Sequence, residues 1–142
     1  NRLEFTKRAI KSVLNQSFRA KEIIIVNDGG EDINVLENLH PSIKILSYQE
    51  NKGVSYARNI GIKNSSYKWI AFLDSDDIWL EDKLEKQVSF HKKNKDILFS
   101  QTQEIWIRNN KIINQPSFNT KYDGDIFEKS MYNYSRFRKN IV

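Results

Sequence analysis

The chain has 142 residues, enough for one domain with a real core and no need of disulfides or a structural metal. Its 39% apolar and 12% aromatic content excludes a disordered chain, and the absence of cysteine excludes disulfide scaffolds, thiolate zinc sites and cysteine nucleophiles. The net charge of +5, from 23 basic and 18 acidic residues, suits phosphate-bearing ligands, nucleic acid or an anionic surface. The basic residues are scattered, however, and the short clusters His91-Lys92-Lys93 and Ser135-Arg136-Phe137-Arg138-Lys139 read as solvated surface, so charge decides little. No apolar run approaches the roughly 20 residues of a spanning helix, and no signal peptide opens the chain.

In chain order, Leu3, Ile10, Val13 and Leu14 recur at helical spacing, with Glu4 and Arg8 four apart, and predict a helix over 3–15. Ile23-Ile24-Ile25-Val26 is a β-branched run without polar alternation. Such a run predicts a strand covered on both faces, as in a parallel sheet. Ile43-Lys44-Ile45-Leu46 predicts a second strand, and Val54 to Lys63 a helix ending near Asn64-Ser65-Ser66. Trp69-Ile70-Ala71-Phe72-Leu73 predicts another buried strand. Leu80, Leu84 and Val88 mark an amphipathic helix reaching about Lys93, supported by Asp82 and Lys86 four apart.

This alternation predicts an α/β fold, a mainly parallel sheet with helices on both faces. Further on, Ile97-Leu98-Phe99 predicts a strand, and Ile105-Trp106-Ile107 with Ile112-Ile113 a hairpin turning at Asn109-Asn110. A short helix is predicted after Gly124. A helix at residue 3 of an α/β domain ordinarily follows a strand, and Val142 carries no stop signal; the chain reads as truncated at both ends.

In open α/β sheets, ligands bind beyond the carboxyl ends of the strands. Asn27-Asp28-Gly29-Gly30 follows the first predicted strand, and Asp74-Ser75-Asp76-Asp77 follows the one at Trp69 to Leu73. Three carboxylates in four residues repel one another unless a positive charge sits among them. Hard cations such as Mg²⁺ and Mn²⁺ take oxygen ligands, often one or two carboxylates completed by substrate phosphates. Asp74 and Asp76 suit that role; the competing reading is that Asp76 or Asp77 caps the helix predicted near Leu80. Between the clusters, Gly53 permits a tight turn whose following helix directs N–H groups toward an anion. Arg58 then reads either as a phosphate or base-edge ligand or as a salt-bridge arginine.

Four segments in order carry a resemblance: Ser12-Val13-Leu14-Asn15-Gln16-Ser17; Glu22 to Gly29; Asn51-Lys52-Gly53 with Ala57-Arg58-Asn59-Ile60-Gly61; and Phe72-Leu73-Asp74-Ser75-Asp76-Asp77-Ile78-Trp79. Over about residues 1 to 90 the chain resembles the family 2 glycosyltransferases, which have the GT-A fold and include many bacterial enzymes of polysaccharide and cell-surface glycan synthesis. The resemblance implies transfer of a sugar from a nucleoside diphosphate sugar, commonly a UDP-sugar, to an acceptor hydroxyl with inversion. It implies that Asp28 contacts the nucleotide base, that Arg58 lies on the nucleotide side, and that Asp74-Ser75-Asp76 is the D-x-D motif. Asp74 would lie near the ribose and metal, Ser75 beside it in the nucleotide-sugar site, and Asp76 would bind Mn²⁺ or Mg²⁺ at the diphosphate. The implied partners are the sugar nucleotide and a glycan or lipid-linked acceptor, with no nucleic acid. The implied location is cytoplasmic, with association at the inner face of the membrane left open.

On this reading residues 1–142 are one partial domain, with 1–95 the nucleotide-sugar-binding half and 96–142 the start of the acceptor-side half. The general base is expected beyond Val142, since nothing in the setting of Glu104, Asp123 or Asp125 marks one of them for that role. The sequence departs from the family pattern at Asn27, where an aspartate is common, and at Gly30, where serine is common. Two other readings stand: a nucleotide-binding domain without turnover, and a phosphatase-like hydrolase using D-x-D. The latter typically needs a small Gly-Thr turn, and Asp77-Ile78-Trp79 follows instead. Trp69 and Trp106 read as core, Trp79 as packing behind the acidic turn, and His40 and His91 as surface.

Overall fold

The structure, a computed structural model, describes residues 2–109 and 111–114. The chain divides into two compact units, Asn1–Lys95 and Asp96–Val142. In the first, helix α1 (Arg2–Leu14) turns its apolar stripe inward and buries Ala9, Ile10 and Val13. Strand β1 (Ile23–Asp28) pairs in parallel with β2 (Ile43–Tyr48), in a register that runs from Ile23 opposite Ile43 to Asp28 opposite Tyr48. Parallel strands need a crossover, and here it contains a 3₁₀ helix, Asn34–Leu39, which places Leu36 at 0% exposure.

Ile10, Leu36 and Ile43 form the centre of the core, with Leu3, Leu14, Ile23, Ile25, Ile33 and Ile45 packed around it. Three elements thus meet on one small hydrophobic centre, against which the first half of β1 packs. Helix α2 (Val54–Lys63) packs on β1, where Gly61 faces Val26. Helix α3 (Lys83–Lys93) closes the unit.

The second unit shows strands β3 (Trp106–Arg108) and β4 (Lys111–Ile113), paired antiparallel. Asn109 enters their turn at φ 51°, a left-handed conformation that asparagine tolerates better than most residues. The hairpin predicted from the sequence is therefore present, with asparagine where glycine is favoured.

The architecture is mixed α/β with a small parallel sheet. It differs from the sequence expectation at several points. Trp69–Leu73 forms no strand, and Trp69 is 58% exposed rather than core. Ile97-Leu98-Phe99 is likewise without regular structure and exposed. An apolar run states only that a segment gains by burial; a strand also needs a partner edge for its backbone groups, and no local pattern supplies one. Trp106 is only partly buried, its indole N–H donating to Glu104 at 3.2 Å. His91 is partly buried against the Trp69 ring, centroids 4.5 Å apart, whereas His40 is exposed as expected. Glu4 pairs with Lys7 at 2.8 Å rather than with Arg8, while Asp82 and Lys86 do pair, at 2.6 Å. The helix predicted after Gly124 lies outside the described residues. No helix among the described residues is long and apolar enough to cross a membrane.

Candidate functional site

The site is built on the carboxyl end of β1. Asp28 is the last residue of that strand, and its carboxylate accepts the backbone N–H of Lys52 at 2.9 and 3.0 Å and of Gly53 at 2.7 Å. Gly53 is the residue before α2, so Asp28 satisfies donors at a helix start from across the fold. Two glycines make the approach possible. Gly29 sits at φ 75°, and a Cβ there would lie 2.5 Å from the Asn51 nitrogen; Gly53 sits at φ 90° in open space, so only its backbone angle demands glycine.

The two departures from the family pattern prove to be coupled. The Asn27 amide donates to the Glu31 carbonyl at 2.8 Å and accepts the Gly30 N–H at 3.2 Å, closing the loop after β1. A Cβ at Gly30 would meet the Asn27 Oδ1 at 2.6 Å. The asparagine that bridges this loop and the missing side chain at position 30 therefore suit each other.

From α2, Arg58 reaches Asp74, Nη2 to Oδ1 at 2.9 Å, and its guanidinium lies 5.7 Å from the Phe72 ring centroid. Both partners are about half exposed, so solvent screens the pair and its worth is geometric more than energetic. The salt-bridge reading of Arg58 is thus realised, and its partner is itself a predicted site residue. The Asp77 N–H donates to the Asp74 carbonyl at 3.1 Å, closing a tight turn with Ser75 and Asp76 at its tip, both exposed. Among the described residues, no hydrogen bond or ion pair engages the Asp76 carboxylate.

The structure thus brings Arg58 and Asp74 together, ties Asp28 to the start of the helix that carries Arg58, and puts Ser75 and Asp76 on the adjoining turn. The capping alternative for Asp76 or Asp77 does not hold, because α3 begins at Lys83 with Asp82 at the capping position. The Asp82 carboxylate bonds Lys86 instead, which holds its pKa below the ordinary 3.8.

Several neighbours have no role assigned by the sequence reading. Ser12 and Gln16 of the first motif are buried and hydrogen-bonded to the chain just after the acidic turn. Tyr48, opposite Asp28, meets Tyr56 edge-to-face at 5.9 Å, with the Lys52 ammonium 5.3 Å from the Tyr56 ring centre. Lys83 lies 3.7 Å over the Trp79 ring, and burial lowers its pKa to about 8. A shallow groove of about 370 Å³, lined by Arg8, Lys11, Ser12 and Trp79, contains none of the predicted site residues. In the second unit Glu104 partners the Trp106 indole, and Asp123 and Asp125 lie outside the described residues.

The tight turn 74–77 thus carries three exposed carboxylates, Asp74, Asp76 and Asp77, the first of them paired with Arg58 of α2. Residues 1–140 match the family model described as glycosyl transferase family 2, and the chain belongs to that family. It is 46% identical over 105 residues to an uncharacterized glycosyltransferase of Rickettsia bellii, covering 72% of this chain and 15% of that protein. It is 41% identical over 108 residues to the Escherichia coli UDP-Glc:alpha-D-GlcNAc-diphosphoundecaprenol beta-1,3-glucosyltransferase WfgD, covering 74% of this chain and 42% of WfgD. An uncharacterized glycosyltransferase of Haemophilus influenzae is 38% identical over 95 residues, 63% of this chain and 38% of that protein. The chain therefore spans less than half the length of these relatives.

Proposed function

We propose that the protein transfers a sugar from a nucleoside diphosphate sugar, a UDP-sugar by preference, to an acceptor hydroxyl with inversion, on a GT-A fold, in bacterial polysaccharide or cell-surface glycan synthesis. The observation that carries this reading is the Arg58–Asp74 contact at 2.9 Å, which unites two motifs 16 residues apart beside the acidic turn. Family membership and the name of the E. coli relative support the donor class and a glycan or lipid-linked acceptor. The proposed setting is the cytoplasm, with the acceptor presented at the inner face of the membrane. Residues 1–95 form the nucleotide-sugar half, and 96–142 begin the acceptor side.

Asp28 orients the base while holding the 51–53 loop through its accepted N–H bonds. Arg58 offers a planar fork of donors to the phosphates and fixes Asp74 near the ribose. Ser75 contributes its hydroxyl at the turn tip. Among the described residues no three His, Asp or Glu side chains gather as a ligand cluster. Two carboxylates completed by phosphate oxygens are nevertheless the donor set Mg²⁺ and Mn²⁺ take, so Asp76 and Asp74 fit such an ion. When bound, the ion neutralises charge on the departing nucleoside diphosphate. We place the general base beyond Val142, as the family resemblance implies.

The test is calorimetric titration of the intact protein with UDP, in Mn²⁺ and in EDTA. Tighter binding in Mn²⁺ is the expected result. Equal affinities would remove the metal from this site.

A further inference from the structure

The Ser12-Val13-Leu14-Asn15-Gln16-Ser17 segment carries part of the family resemblance but has no assigned role. Three of its polar side chains, those of Ser12, Gln16 and Ser17, are each hydrogen-bonded within the fold. Gln16 is 3% exposed, and its amide donates to the Ser12 carbonyl at 3.1 Å and to the Leu80 carbonyl at 2.7 Å, while its Oε1 accepts the Leu84 N–H at 2.9 Å. Ser12, 9% exposed, donates to the Ala9 carbonyl at 2.7 Å and accepts the Trp79 N–H at 3.1 Å. Just past the helix, the Ser17 N–H donates to the Glu81 carbonyl at 2.9 Å and its hydroxyl to Glu85 at 2.7 Å.

These bonds converge on one stretch, residues 79–85, which lacks regular structure until α3 starts at Lys83. That stretch begins three residues after Asp76. Of the apolar residues here, Ile78 just before it is 52% and Leu80 65% exposed, while Trp79 and Leu84 are only partly buried. Upstream, the turn is held by Arg58 at Asp74. The acidic turn is thus slung between two anchors, and the downstream one is the end of α1. Since α1 packs Ile10 into the core, the anchor is backed by the best-buried part of the unit.

We infer that Ser12 and Gln16 are positioning residues for the acidic turn: they hold the backbone after Asp76 so that its carboxylate and that of Asp74 present a fixed spacing to a cation–diphosphate ligand. The inference rests on the metal reading of Asp76 for its functional consequence, and on hydrogen bonds alone for its structural one. A buried amide with both ends engaged is a costly group to disrupt, because the partners it leaves behind are stranded away from water. Preorganisation of this kind adds nothing to the ligand contacts themselves. It lowers the cost of ordering them.

The experiment uses the intact protein as wild type, Gln16→Ala, Ser12→Ala, Ser12→Thr and Asp76→Asn. UDP affinity is measured in Mn²⁺ and in EDTA, alongside thermal melts and amide exchange over residues 74–84. The expected result is that Gln16→Ala weakens UDP binding about tenfold in Mn²⁺, the scale of one or two stranded buried hydrogen bonds. Its affinity in EDTA stays at the wild-type value, and exchange accelerates at Asp77 and Trp79. Ser12→Ala behaves alike to a smaller degree, and Ser12→Thr, which keeps the hydroxyl, restores the wild-type behaviour. If Gln16→Ala lowers the melting temperature but leaves both the Mn²⁺-dependent affinity and the exchange of 74–84 unchanged, Gln16 serves stability alone and the inference is overturned. If wild type and Asp76→Asn bind UDP equally with and without Mn²⁺, the metal reading fails. Exchange then decides separately: acceleration confined to 74–84 upholds the positioning role, and unaltered exchange ends it.

Discussion

Asp28 and Asp76 stand in contrasting surroundings within one unit. Asp28 ends a strand whose Ile23 and Ile25 pack on a core of Ile10, Leu36 and Ile43, and its carboxylate is engaged by two backbone N–H groups. Asp76 sits at the tip of an exposed turn, in a stretch with no ladder on either side, and the turn is held by side chains reaching in from elsewhere. One carboxylate is placed by burial of its neighbours, the other by point contacts at its flanks. The first arrangement tolerates little change without loss of the fold; the second leaves a carboxylate free for a ligand. A binding site benefits from having both.

The contrast is broken most strongly from the core side. Leu36→Ala removes the best-buried side chain where α1, the crossover and β2 meet, and is expected to cost about 2–5 kcal/mol of stability. Urea unfolding reads this directly, and a loss well under that range would mean the crossover repacks freely. At the turn the pattern reverses. Asp76→Asn is expected to lower sugar transfer by about a hundredfold or more, on the order of 3 kcal/mol, because an amide cannot supply the ligand charge. Its thermal melt should match wild type, since nothing among the described residues leans on that carboxylate. Near-normal turnover would make the turn a loop device and sink its functional reading.

Asp28 lies between these extremes. Asp28→Ala strands the Lys52 and Gly53 N–H groups at the start of α2 and is expected to cost about 1 kcal/mol, the scale of a lost helix cap. An unchanged urea midpoint would show that water replaces the carboxylate there.

A pH dependence gives a further contrast. Burial lowers Lys83 from its ordinary 10.5 to about 8, while the Trp79 ring 3.7 Å beneath its ammonium favours the charged form and narrows that gap. Between pH 8 and 10.5 the unfolded chain keeps a proton that the folded chain has released, so stability rises with pH across that window. The rise is read as the difference in urea midpoint between wild type and Lys83→Met, which cancels the titration of other groups. A flat difference would mean the cation–ring contact offsets the burial.

Much of this molecule is legible from local pattern. The helical spacing of Leu3, Ile10, Val13 and Leu14 places α1, the β-branched run at Ile23 places β1, and the α2 bounds follow from the glycine before Val54 and the Asn-Ser-Ser stop. The residue types of the candidate site are legible too, because clustered carboxylates and a glycine before a helix have few physical uses. Sequence could not report that Trp69–Leu73 stays outside the sheet, that Leu36 is the most buried side chain, or that Asn27 and Gly30 fit each other. Nor could it pair Asp28 with the 52–53 backbone, Arg58 with Asp74, or Ser12 and Gln16 with residues 79–84. The reason is physical. Periodicity and propensity act over a few residues and say which face seeks burial, whereas these hydrogen bonds join groups 16 to 68 residues apart, and only the packed chain decides which donor finds which acceptor.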